Sequence, residues 1–396
     1  MAEVPEVLDG ARIHQQADAL RAAGPAVRVR LPEGGEVWSV TRGEVITRLL
    51  ADPVIVKDAR WSLPGARPGE WPWLFPAVRV AEPEPVDGVR HERLAALVRE
   101  AFTADRIAAL RPEVAALVDC LLENMANGRT GGAVDFRASF AALLPSRVIC
   151  ALLGVPDALR AELRGALDDV LDAGAGRVPK REELLDALRA LVRSKRERPG
   201  DDLTSALLHV DRLTDTELLG VLALLVGAGS GTVVSLLDHA VYELLRDPAQ
   251  LEEVRTADRW PDVVDEVLRL HPPIVHLPLR YATADVDLGD GVVIAAGEPV
   301  LIGYGVPGRD PAVHPEPARF AVDRGDKAHL AFGHGVHRCL GAPLARMQAE
   351  VALPRLFDRF PDLALAEPTG VPPRRPSYIG NDFSSVLVHL GGSHSH

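Results

Sequence analysis

Residues 218–237, LLGVLALLVGAGSGTVVSLL, run for twenty positions without a charge. A stretch that apolar must be withdrawn from water on every side, inside a large core or across a bilayer. Thr214, Asp215, Thr216 and Glu217 precede it as a capping box, so the spacing predicts a helix starting there. The glycines at 220, 227, 229 and 231, with no basic flanks or interfacial aromatics, favour a buried core helix over a membrane span. A chain of 396 residues with 47% apolar content can wrap such a helix. Each helical glycine costs about 1 kcal/mol relative to alanine. Gly227, Gly229 and Gly231 therefore imply close approach of a ligand, local unwinding, or tight packing of a neighbouring helix.

Around that element the chain reads as helix-rich. Residues 27–58 predict two short strands about a Pro-Glu-Gly-Gly turn, then a helix and a further strand, which together make a small β-rich lobe. A Pro-, Gly- and Trp-rich loop follows over 61–87 and holds Trp71 and Trp73; so many aromatics favour a functional loop over a disordered one. Helical periodicity dominates 91–271, broken near 127–132, 154–157, 174–179 and 199–202. Within it, 133–153 reads as one amphipathic helix and 260–270 as another, stopped by His271-Pro272-Pro273. Strand-like pieces are expected at 280–286 and 292–300. No linker divides residues 1–390, which are expected to form one domain, and the tail 391–396 reads as disordered. Periodicity alone predicts an α-rich α+β fold.

Charge and cysteine usage narrow the function. A net charge of −12 argues against a nucleic-acid binder, because phosphate contacts need clustered Lys and Arg. Cys120, Cys150 and Cys339 make no disulfide framework and suit a reducing cytoplasm. The N-terminus shows neither a signal peptide nor a membrane anchor.

Cys339 lies in AFGHGVHRCLGAPLAR, residues 331–346, where a small-residue loop leads into a helix beginning near Ala342 and Pro343. Backbone N–H groups at such a helix start favour a thiolate. A bland core thiol would sit in an apolar element rather than a glycine-rich loop. A zinc site would need more ligands than His334 and His337 supply. A single axial thiolate to haem iron, with glycines admitting the macrocycle, fits best.

The pattern Phe332, Gly333, x, Gly335, x, His337, x, Cys339, x, Gly341 resembles the haem-binding signature of the cytochrome P-450 superfamily. The order of elements from about residue 25 to 390 is similar to the bacterial soluble form of that fold. The resemblance implies a mainly helical, roughly triangular molecule with a smaller β-rich region and haem b (iron protoporphyrin IX) as cofactor. Cys339 would be the fifth iron ligand and Phe332 would shield its sulfur. Gly333 and Gly341 would line the macrocycle, while His91, Arg280 and His337 would hold its propionates. Many members carry a second basic residue where this chain has Ala95, for which Arg93 is the nearest substitute. Glu266 and Arg269, three apart on one helix face, match the family's E-x-x-R element, with Arg319 as the expected third member of a structural triad. In the long helix the family's small residue, Gly, x, acid, Thr aligns with Ala228, Gly229, Ser230, Gly231, Thr232. Thr232 is kept and the acid is absent, so Thr232 with ordered water, Ser230, or the substrate itself must supply protons. By the same correspondence the substrate pocket draws on Trp71, Trp73, Val226, Ala228, Val275, His276, Ile379 and Asn381.

The activity expected is oxidation with dioxygen and two external electrons, since no flavin or nicotinamide fingerprint is present. A ferredoxin-type donor with its reductase is the expected partner, docking near Arg338 and Arg346. Hydroxylation of a sizeable natural product in bacterial secondary metabolism is the leading reading, by a cytoplasmic monomer with no nucleic-acid or membrane partner. Radical C–C or C–N coupling, for example of an aromatic cyclic dipeptide, and a non-catalytic haem or ligand carrier are the alternatives.

Overall fold

The charge-free stretch does not form one uninterrupted helix. In this computed structural model, which describes residues 5–6, 12–31, 35–58, 61–62, 87–128, 132–171, 181–210 and 212–391, it is two helices, Asp215–Ala228 and Gly231–Arg246, with a turn at Gly229 and Ser230 between them. Thr214 and Glu217 make the predicted capping box. The break has a local cause. The Ser230 hydroxyl donates to the Val226 carbonyl at 3.2 Å and the Thr232 hydroxyl to the Ala228 carbonyl at 3.0 Å, a back-bonding pattern that bends helices. Three glycines in the same stretch lower the cost of unwinding.

By length and composition Asp215–Arg246 could cross a membrane. Here it packs inside the largest core. Leu222, Val226, Val233, Leu236, Leu237 and Val241 are buried against residues of Arg111–Asn127, Leu143–Leu152, Trp260–Leu270 and Ala342–Arg359. Trp260 and Phe357 tie the last two helices together, their rings stacked at 5.9 Å.

Ten strands occur among the described residues: β1 (Ala26–Arg30), β2 (Glu36–Val40), β3 (Ile55–Val56), β4 (Val134–Asp135), β5 (His276–Ala282), β6 (Val286–Asp287), β7 (Val293–Ile294), β8 (Pro299–Gly303), β9 (Ala364–Leu365) and β10 (Leu387–His389). Five form the main sheet in the order β1-β2-β8-β5-β3. The β2–β8 pair is parallel, Trp38 facing Val300, and the others are antiparallel. Val45, Ile46 and Leu49 from the Gly43–Ala51 helix pack with Val300 and Ile302 of β8 in a second core. This is the expected β-rich lobe, completed by strands from distant sequence.

Several local expectations are corrected. Residues 133–153 hold β4, a π-helical stretch Arg137–Ala141 and the helix Leu143–Leu152 rather than one helix. The strand expected at 280–286 is β5 followed by β6, and that at 292–300 is β7 followed by β8. An N-terminal helix, Ile13–Ala23, and the strands β9 and β10 were not anticipated. Trp71, Trp73 and residues 392–396 lie outside the described residues.

Candidate active site

The cysteine loop is built by backbone constraint. Gly333 and Gly335 both have φ of 70°, the left-handed region where a side chain is strained. A Cβ on Gly335 would stand 2.6 Å from the Leu50 carbonyl oxygen, so the loop lies directly against the Gly43–Ala51 helix. The Cys339 N–H donates to the Phe332 carbonyl at 2.8 Å, closing the turn. The helix Ala342–Arg359 begins with a proline in its first turn, as expected. The N–H groups of Gly341 and Ala342 hydrogen-bond to the Cys339 sulfur, yet desolvation outweighs them and pushes the thiol's pKa up. A bound metal cation favours the thiolate. Cys339 is exposed, whereas Cys150 is buried. Among the described residues no group of three His, Cys, Asp or Glu side chains could hold a metal, which removes the zinc alternative there and leaves a single-sulfur site.

Arg346 lies over the Phe332 ring, 5.4 Å from its centroid, and pairs with Asp265. His329 approaches the same carboxylate at 3.5 Å, and these partners hold the Asp265 pKa down at about 2. Arg346 is thus committed to the fold. Arg338 is exposed, and no partner for it is found among the described residues.

His91, His337 and Arg280 converge from three elements. The two imidazoles lie 4.1 Å apart between centroids, and His337 Nε2 meets Asp87 Oδ1 at 2.9 Å. Burial, together with nearby Lys57, His91 and Arg280, lowers the His337 pKa to about 4. Arg280 is 3% exposed, and its buried Nη2 has no hydrogen-bond partner. A buried guanidinium with an orphaned donor calls for an anion. With a lone sulfur ligand and a glycine-lined loop nearby, the donor set fits haem. Arg93 does not stand in at Ala95: it pairs with Glu217 and donates to the Arg212 carbonyl.

The broken helix presents one open face. Leu224 is 59% exposed, Ala228 is exposed and Thr232 is half-buried, at i, i+4 and i+8. Two of the expected residues do not share this face. Val226, two residues from Ala228, is fully buried on the opposite side, where a cavity of about 240 Å³ is lined by Val226, Ile149, Cys150 and Arg164. Ser230 is 2% exposed and bonded back to Val226, so its hydroxyl does not share the face of Thr232. Gly229 answers to helix packing, since a Cβ there would lie 2.6 Å from Ile149 Cδ1. Gly231 starts the second helix.

The turn 379–383 is tied to the segment after Trp260–Leu270. Val275 N–H donates to the Ile379 carbonyl at 2.8 Å, and Asn381 N–H to Pro273 at 3.0 Å. Ser235 Oγ donates to the Asn381 carbonyl at 3.0 Å. The Asn381 side chain accepts from Arg374, leaving its Nδ2 without a partner. His276 is buried with Nδ1 at 2.8 Å from the Tyr378 carbonyl, and burial lowers its pKa.

The expected triad has a different third member. Glu266 and Arg269 form a buried two-pronged pair, both contacts 2.7 Å. Arg324, not Arg319, joins them, its Nε 3.2 Å from Glu266 Oε1. The Arg319 side chain is 60% exposed and reaches Glu316, while its carbonyl accepts from Arg269 at 2.9 Å. Proximity in sequence to the Pro-Glu-Pro segment did not distinguish two arginines five residues apart; the turn between them does.

The family model for cytochrome P450 matches residues 261–377. The chain is 40% identical over 97% of its length to 2-hydroxy-5-methyl-1-naphthoate 7-hydroxylase of Streptomyces carzinostaticus, covering 96% of that protein. It is 41% identical to the cytochrome P450 monooxygenase PikC of Streptomyces venezuelae, over 87% of this chain and 83% of that one. The solved structure of CYP154A1 from Streptomyces coelicolor A3(2) superposes with a TM-score of 0.87 at 40% identity, covering 98% of this chain and all (100%) of that one. The chain belongs to the cytochrome P450 family, and its cofactor is haem b.

Proposed function

We propose that this enzyme hydroxylates a sizeable natural product, with Cys339 ligating the haem iron and His91, His337 and Arg280 holding the haem carboxylates. Haem bound through that sulfur supplies dioxygen activation and two-electron oxidation. The observation that carries the reading is the single-sulfur loop at Cys339, and the open helix face at Leu224, Ala228 and Thr232 supports it. Hydroxylase activity in the named relatives, among them 6-deoxyerythronolide B hydroxylase of Saccharopolyspora erythraea, supports the same reaction type. Phe332 holds the Cys339 backbone through its carbonyl and would shield the sulfur, and Gly333 and Gly341 leave room for the macrocycle. Thr232 holds a proton at Oγ1 on the open face, its orientation fixed by the Ala228 carbonyl. Ala228, Val275, Ile379 and Asn381 line the substrate side, Asn381 offering an unpaired amide donor. Electrons come from a ferredoxin-type donor and its reductase in the cytoplasm, the enzyme acting as a monomer.

One observation favours oxidative coupling as a second reading. With Gly231 in the acid's place and Ser230 turned inward, Thr232 alone among residues 228–232 brings a proton-bearing side chain to the open face. Turnover under labelled dioxygen separates the two. One labelled oxygen retained in the product supports hydroxylation; loss of two hydrogens with no oxygen gained supports coupling. Cys339→Ser should abolish the red-shifted Soret band of the reduced, CO-bound protein, and its persistence would overturn the haem-thiolate assignment.

A further inference from the structure

Next to the cysteine loop, two cations face each other with one carboxylate beside them among the described residues. Ile55 pairs with Ala282 and Val56 with Tyr281 across β3 and β5. The same antiparallel register, carried one residue further, sets Lys57 opposite Arg280. Like charges at directly opposed positions are destabilising, so the arrangement calls for an anion between them. Among the described residues Asp87 is the one carboxylate that acts on Lys57, and both its oxygens are already engaged. Oδ2 accepts from the backbone N–H of Lys57 and Oδ1 faces His337 Nε2. Neither bond uses the Lys57 ammonium. On the other strand Arg280 keeps an unpartnered Nη2. Burial, and then Arg280, drive the Lys57 pKa from the usual lysine value to about 8, with Asp87 opposing.

The helix Gly88–Ala101 brings His91 to this space but no further cation, because Ala95 is a buried methyl and Arg93 is committed to Glu217. A ligand with two carboxylates placed among Lys57, Arg280, His91 and His337 would balance both cations, and haem carries two such carboxylates.

We propose that Lys57 binds a haem carboxylate directly, as the cross-strand partner of Arg280, with Asp87 orienting its backbone. The inference rests on the haem reading and adds to it a residue outside the cysteine motif. It makes the short strand β3, rather than the helix Gly88–Ala101, the source of the second cation.

The test uses ferric holoenzyme of wild type, Lys57→Met and Lys57→Arg. Haem loss to excess apomyoglobin should accelerate about tenfold or more in Lys57→Met, the scale of one charge-assisted hydrogen bond, and stay within about threefold in Lys57→Arg. In resonance Raman spectra the propionate-bending band should shift in Lys57→Met while the Soret band keeps its thiolate position. Raising ionic strength should speed haem loss more in wild type than in Lys57→Met. An unmoved propionate band overturns the proposal, whether or not haem loss accelerates, because faster loss with an unmoved band means a structural role. Should Lys57→Met fail to fold, Lys57→Gln replaces it and is held to the same band shift. Loss of the thiolate spectrum in wild type would instead sink the haem reading itself, so the two failures are distinct.

Discussion

Replacing Glu266 by glutamine should be among the most damaging isosteric changes in this protein. Glu266 and Arg269 are both fully buried, at 0% exposure. Glu266 Oε1 accepts from Arg269 Nη2 at 2.7 Å, from the Ala321 N–H at 2.9 Å and from Arg324 Nε at 3.2 Å. Its other oxygen accepts from Arg269 Nε at 2.7 Å. Glutamine keeps the shape but leaves the Arg269 charge buried and uncompensated, with one amide N–H₂ pointing at a cation. Breaking a buried pair in this way costs about 3–5 kcal/mol. Arg324→Ala removes a side chain 10% exposed that donates to Glu266 and to the Pro315, Glu316 and Arg319 carbonyls, and should cost at least about 1.5–3 kcal/mol. Arg319→Ala touches only an exposed pair with Glu316 and should stay within about 0.5 kcal/mol. Urea unfolding followed by tryptophan fluorescence gives the three midpoints at constant slope. The ranking Glu266→Gln, Arg324→Ala, Arg319→Ala is the signature of the geometry. An Arg319→Ala loss equal to that of Arg324→Ala would refute it.

Two glycines of the broken helix should respond oppositely. Gly229→Ala drives a methyl into Ile149 Cδ1 and should cost about 1–3 kcal/mol, recovered in part by Ile149→Val. Gly227→Ala meets nothing within 4 Å and should gain up to about 1 kcal/mol, both read from thermal or urea midpoints. The clustered histidines His14, His239 and His271, the last two stacked and His14 edge-on to His271, have pKa values lowered well below the usual one, chiefly by burial. A base whose folded pKa is depressed binds fewer protons folded than unfolded. Stability should therefore fall as pH drops below about 6.5, by up to roughly 1.4 kcal/mol per pH unit for each histidine. Glu243, which pairs with His271 and whose pKa burial raises, offsets part of that loss. His239→Asn should flatten this slope in unfolding measured between pH 5 and 7, and an unchanged slope would count against it. If a ferredoxin docks beside exposed Arg338, Arg338→Glu should slow first-electron transfer and reduce its salt dependence with little change in substrate affinity. Equal slowing by salt in wild type and variant would argue for another docking surface.

Motifs whose chemistry is local were legible in the sequence. The capping box at Thr214 and Glu217, the proline-started helix after Gly341, the Glu266–Arg269 pair and the loop around Cys339 depend on residues within a few positions of one another. Their side-chain and backbone requirements leave a pattern in the order of residues. What depended on distant chain segments was not legible. Periodicity marks a buried helix but not which of its faces is filled, so Val226 and Ala228 looked alike until Ile149 and Cys150 were found behind the first and open space beside the second. Charge alone did not separate Arg319 from Arg324, because the turn at 319–324 decides which guanidinium reaches Glu266. Lys57 carried no signal at all; its position opposite Arg280 exists only once β3 pairs with β5, more than two hundred residues later in the chain. Side chains whose partners are fixed by local spacing are determined by the sequence itself, whereas those whose partners arrive across a sheet or from a packed helix are assigned by the tertiary fold, since nothing in their own neighbourhood specifies what will face them.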